Sequence, residues 1–153
     1  MGLIKIATIV RAEPLIVYNT LKELERLHEF MPQIRSVKIL WKLPQNRQIS
    51  QWEVAVEGIT ICWKQEDTYE DELFTLTFRV IEGDYKAEGL WTAAKMSEPS
   101  KSLVSLSVKF DWGIPNLAQY VGPVLERKAK KNFARMIAAL RRNFWVGRPA
   151  IHG

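Results

Sequence analysis

Residues 126–144 read ERKAKKNFARMIAALRRNF, and this stretch decides the fold. At about 100° per residue, Leu125, Ala129, Phe133, Met136, Ile137, Leu140 and Phe144 share one face of a helix. Arg127, Lys128, Lys130, Lys131, Arg135, Arg141 and Arg142 fall on the opposite face. A long helix with so broad an apolar face has to lie on something. Nearly everything before it reads as strands, so the surface beneath it is a sheet. Where a large sheet bends round one helix, a buried cavity is expected between them, and that cavity is the best lead to function.

Working back from the helix, Gly122-Pro123 predicts a break: a short helical lead-in from Asn116 ends there and the main helix starts with Pro123 in its first turn. Before it, six segments alternate with period two. They are Val37–Leu43, Gln51–Glu57, Ile59–Asp67, Phe74–Val80, Lys86–Ala93 and Val104–Trp112. Turn signals separate them at LPQNRQ, Gly58, YEDE, Glu82-Gly83-Asp84 and SEPSK. Short turns between alternating strands predict antiparallel neighbours with one buried and one wet face. Leu3–Val10 is a further strand, rich in β-branched residues. Between it and the series, Pro14 opens a helix with Val17, Tyr18, Leu21 and Leu24 at helical spacing, and Glu25–Met31 forms a second short one that stops at Pro32. The chain reads as one α+β domain over 1–146 with a fraying tail at 147–153.

The bulk properties suit a soluble globular domain: 153 residues, 47% hydrophobic and 25% charged. The start, MGLIKIATIV, runs straight into a strand pattern without a signal-peptide cleavage site, and no apolar run is long enough to span a bilayer, so the chain reads as cytoplasmic. A lone Cys62 excludes an intramolecular disulfide. Two His and one Cys make a poor metal set, His28 and His152 have no triad neighbours in sequence, and no Gly-rich phosphate loop is present. Neither a metal nor a cofactor is expected. Glu70, Asp71 and Glu72 read as a solvated acidic turn. Net charge is +5, yet residues 1–125 carry 14 Lys+Arg against 16 Asp+Glu, so the positive excess belongs to the last helix and tail. Its basic face suits solvent; through Arg127, Lys130, Lys131 and Arg135 it also suits RNA, a ribosome or an anionic membrane surface, with no DNA expected.

The order strand, two short helices, six antiparallel strands, long helix resembles the helix-grip fold: a seven-stranded curved antiparallel sheet wrapped around a long C-terminal helix. KELERLHEFMPQIRSVKIL resembles the opening of polyketide cyclase/dehydrase-like members of the START and birch-pollen-allergen superfamily. EGDYKAEGLW resembles that family's turn and strand around a Gly-x-Trp, and Asn132 sits where such proteins often carry an Asn in the last helix. The resemblance implies a cavity holding a lipid, an isoprenoid or quinone, or an aromatic polyketide-like molecule.

The alternation puts Trp52, Trp63, Phe78, Trp91, Phe110 and Trp112 on the concave face, where flat side chains suit a flat apolar ligand or simply fill a core. Gly89, Ala87, Ala93 and Ala129 are small residues facing the interior, which either leave space or interdigitate. Gln65 and Asp67 continue the inward face of the Trp63 strand, and Asn132 lies at the edge of the helix's apolar face. With Met136 opposite, the expected ligand-binding set is Trp52, Trp63, Gln65, Phe78, Trp91, Phe110, Asn132 and Met136. Some aromatase/cyclase relatives read Trp-x-Ser-x-Arg here; this chain reads Trp63-Lys64-Gln65-Glu66-Asp67, so the guanidinium of that pattern is replaced by a carboxylate. Catalytic residues are therefore unassigned, with Asp67, Gln65 and Asn132 as the candidates and Asp67 as general base. Three functions compete: a hydrophobic small-molecule binder, a polyketide cyclase/aromatase-type enzyme, and an adaptor working through the basic helix face.

Overall fold

Period-two alternation becomes seven strands, and the long apolar stripe becomes the helix that covers them. The structure, a computed structural model, describes residues 2–56, 58–83, 86–111 and 115–144, the side chains at 111, 115–123 and 125 excepted. β1 (Gly2–Val10) leads into α1 (Pro14–Lys22) and a 3-10 turn (Leu24–Glu29). β2 (Ile34–Leu43), β3 (Arg47–Val56), β4 (Ile59–Glu70), β5 (Thr75–Gly83), β6 (Lys86–Lys95) and β7 (Ser102–Asp111) follow, and α2 (Pro115–Asn143) closes the described chain. The sheet order is β1-β7-β6-β5-β4-β3-β2, antiparallel throughout. Each later strand pairs with the next through a short turn, and β1 adds to the free side of β7. This is the helix-grip arrangement.

The second short helical segment is a 3-10 helix that packs Leu24 and Leu27 inward. Two local expectations need amendment. α2 is continuous through Gly122-Pro123: a proline inside a helix forfeits its own hydrogen bond, but the turns on either side carry the helix across. The acidic turn is a tether as well as a solvated loop. The Tyr18 hydroxyl donates to Asp71 Oδ1 at 2.7 Å and Lys22 Nζ donates to the same oxygen at 2.9 Å, so the turn holds the end of α1. These two donors hold the Asp71 carboxyl below its usual range. Trp112 and the tail at 147–153 lie outside the described residues.

The core runs along the concave face. Val104, Leu106, Val108 and Phe110 of β7, Trp91 and Ala93 of β6 and Leu76 of β5 are buried against Val17, Tyr18 and Leu21 of α1. α2 is unequal along its length. Met136, Ile137, Ala139 and Leu140 are buried, and the helix packs on β1. Ala129, Asn132 and Phe133, one to two turns earlier, are only half-buried. The C-terminal half of α2 seals the core; the stretch around 128–133 stands over a hollow.

Candidate functional site

That hollow is a cavity of about 140 Å³ between the sheet and α2. Its walls come from β3 and β4 (Trp52, Val54, Val56, Ile59, Ile61, Trp63, Gln65), from β5, β6 and β7 (Leu76, Phe78, Trp91, Leu106, Phe110), from α1 and the 3-10 turn (Leu21, Leu24, Leu27), and from α2 (Lys128, Ala129, Asn132, Phe133, Met136). All eight residues of the expected ligand-binding set line it. Ile59, at the β3–β4 turn, is 63% exposed while lining the cavity, so the hollow reaches solvent beside that turn.

The antiparallel register of β3 and β4 grades the wall. Val56 faces Ile59 and Val54 faces Ile61 near the mouth. Trp52 faces Trp63, with rings stacked at 5.6 Å and 8° apart in plane. Ser50 then faces Gln65, and Gln48 faces Asp67. The last four are all buried. They form one connected network, which is how buried polar groups avoid a large desolvation penalty. Trp52 Nε1 donates to Ser50 Oγ at 2.9 Å, and Ser50 Oγ donates to Asp67 Oδ2 at 2.6 Å. Trp63 Nε1 donates to Gln65 Oε1 at 2.7 Å, while Gln65 Nε2 donates to Asp67 Oδ1 at 2.5 Å. Gln48 Nε2 adds a third donor to Asp67 at 3.3 Å. Asp67 thus anchors both stacked indoles through one intermediary each. Burial pushes its carboxyl up to about 6, against the opposing pull of the Ser50, Gln65 and Gln48 donors.

The three catalytic candidates separate. Asp67 is fully buried and does not line the cavity; it lies behind Gln65. Gln65, and not Asp67, presents its side chain to the cavity, and the carboxylate is linked to that surface through the Gln65 amide. Gln65 and Asn132 do line the cavity. The Asn132 carbonyl accepts Gln33 Nε2 at 3.4 Å, while its side-chain amide has no hydrogen-bond partner among the described residues.

Sequence reasoning overlooked Gln48, Ser50 and Lys128. The signal for the first two was present: stepping back by twos from Trp52 gives Ser50 and Gln48. Lys128, read as part of the solvent face, lines the cavity because it stands one turn before Asn132 on the same edge of α2. Gly89 does not leave space. A Cβ there would stand 2.6 Å from the Phe78 ring, so the ring covers the glycine. Arg127, Lys130, Lys131 and Arg135 are exposed, with no ion pair among the described residues. Cys62 is exposed. Among the described residues no cluster of His, Cys, Asp and Glu is placed to hold a metal, and no helix is long and apolar enough to cross a membrane.

Residues 10–137 match the family described as polyketide cyclase / dehydrase and lipid transport. No curated protein is significantly similar in sequence. Among solved structures, a Thermus thermophilus protein superposes with a TM-score of 0.83 at 22% identity, covering 92% of this chain and 95% of the other. A START superfamily protein from Mycobacterium smegmatis gives 0.81 at 16%, covering 93% and 96%. The Zhui aromatase/cyclase from Streptomyces gives 0.77 at 17%, covering 95% and 97%. At these identities the likeness concerns the fold.

Proposed function

The chain belongs to the polyketide cyclase / dehydrase and lipid transport family, and on that premise we propose that it binds a hydrophobic small molecule between its sheet and α2. The observation that carries this reading is the cavity itself, apolar and aromatic on nearly every side and open to solvent beside Ile59. Its volume bears on the ligand. A dry protein cavity of about 150 Å³ accommodates benzene, whereas ligand pockets commonly run from about 300 to 1,000 Å³. At about 140 Å³ the site suits a single ring or a short acyl or isoprenoid chain. A quinone ring or the first ring of a polyketide-like molecule fits; larger ligands require α2 to lift.

The cyclase/aromatase alternative draws on the same cavity and on Trp63, but Asp67 stands where some relatives carry Arg, and it is shielded by Gln65. Binding without turnover is the better-supported reading. The exposed cations of α2 support a second activity, attachment to RNA or an anionic surface, whose binding would weaken steeply with salt. Charge reversal at Lys130, Lys131 and Arg135 would remove it without unfolding the domain.

Fluorescence titration with 1,4-benzoquinone, octanoate and geraniol tests the main reading, because Trp52 and Trp63 form the cavity wall. Saturable quenching or shifting of the emission, together with a bound small-molecule mass in native spectra, is the expected result. A flat emission with all three probes and a protein-only mass would sink it.

A further inference from the structure

Six side chains of the cavity wall carry a polar atom: Trp52, Trp63, Trp91, Gln65, Asn132 and Lys128. The two stacked indoles have spent their N–H groups on Ser50 and Gln65. The third indole has not. Trp91 is only 8% exposed, and its Nε1–H has no acceptor among the described residues. Its cross-strand neighbours are Leu76 on β5 and Leu106 on β7, and both are buried and line the same hollow. A buried indole N–H ordinarily finds an acceptor, and one that lacks it carries a desolvation penalty. Trp91 itself lines the cavity, so a molecule bound there can supply the missing acceptor.

We propose that Trp91 is the specificity-determining residue of this site: its N–H hydrogen-bonds a neutral oxygen of the bound molecule and so selects oxygen-bearing hydrophobes over hydrocarbons of the same shape. This rests on the small-molecule reading above and refines it. The acceptor is neutral because an ionised group among Leu76, Leu106 and Trp91 would lose its hydration without a counter-charge. Ketone, ester, ether and phenol oxygens meet the requirement; carboxylates do not meet it at this depth. Discrimination follows from the cost of leaving a buried donor unmatched, which a hydrocarbon ligand would perpetuate.

Acetophenone and ethylbenzene test it, since they share a shape and differ by one carbonyl oxygen. Acetophenone binds the wild-type protein about two- to tenfold more tightly, the range for one neutral hydrogen bond. In protein labelled with 15N at tryptophan, acetophenone shifts one indole N–H proton downfield and ethylbenzene leaves it in place. Cross-peaks to Leu76 and Leu106 assign that signal to Trp91 without any variant. Trp91→Phe abolishes the preference by weakening acetophenone alone. Equal affinity for the two probes with no downfield shift overturns the proposal, as does a preference that survives Trp91→Phe. If neither probe binds, the cavity reading falls and this inference with it; if both bind equally, only the inference falls.

Discussion

Asp67 has an ionisation set by its place in the wall. Its carboxyl titrates from an ordinary 3.8 when unfolded and about 6 in the fold, because burial outweighs the three donors. Between those values the folded state holds the proton and the unfolded state releases it. The contribution of this residue is therefore fully present below the lower value and is lost as pH rises through the upper one. Across that span the loss amounts to about 3 kcal/mol. Urea denaturation of the wild type and of Asp67→Ala from pH 4 to 7 isolates it: the stability difference between them shrinks as pH rises and levels off above about 6. A difference that grows with pH would mean that the Ser50, Gln48 and Gln65 donors dominate burial. Gly89 gives a second expectation. A Cβ there would lie 2.5 Å from the Ser107 carbonyl oxygen, which belongs to β7 and cannot turn aside. Gly89→Ala should destabilise the domain by about 1–3 kcal/mol, read as a lower Tm, and weaken cavity binding because the displaced Phe78 ring lines it. At this scale, alternation alone found Gln65 and Asp67. The chain of donors that ties them to Trp52 and Trp63 depends on the β3–β4 register, which no single strand carries.

Within the elements, what a strand or helix is made of was largely legible, and how it sits was less so. β1 was legible from its β-branched residues, and period two identified the other six of the seven strands, because each has one face on the core. It did not reveal the bulge between Ile39 and Trp41, after which Trp41 is 58% exposed. The α2 pattern identified its apolar stripe, yet the residues of that stripe play two different parts. Leu140 is fully buried near the β1 contact, while Ala129 faces the cavity. Leu140→Ala should lower stability by about 2–5 kcal/mol and leave probe affinity within about twofold for the protein that remains folded. Ala129→Phe should do the reverse, abolishing fluorescence-detected binding with a small change in Tm, because its added ring enters vacant space. Comparable losses of binding in both variants would mean that α2 acts as one rigid lid rather than as a seal and a roof. Hydropathy has no means of distinguishing the two, since both halves are apolar; the difference arises from how far the sheet curves away beneath each turn.

For the molecule as a whole, sheet and helix enclose a volume whose limits are set from two sides. The sheet is open, with β1 and β2 as its edges, so its curvature is held by the packing of α1, the 3-10 turn and α2 rather than by barrel closure. The softest of these boundaries is the half-buried stretch of α2 at Ala129–Phe133. A ligand that fits the existing hollow gains by burying apolar area at about 25 cal/mol per Å² without moving anything. One that exceeds about 140 Å³ must part that stretch of helix from the sheet and expose apolar surface elsewhere. Affinity along the series benzene, naphthalene, anthracene is therefore expected to rise with area while the ligand fits, and then to fall at the member that forces the roof open. At that member, backbone amide exchange should accelerate in residues 128–133 and remain unchanged in 136–140, where the helix stays sealed on the core. Affinity that climbs steadily to anthracene with uniform exchange along α2 would mean that the cavity expands elsewhere, through the sheet, and that the two-part description of the helix is wrong.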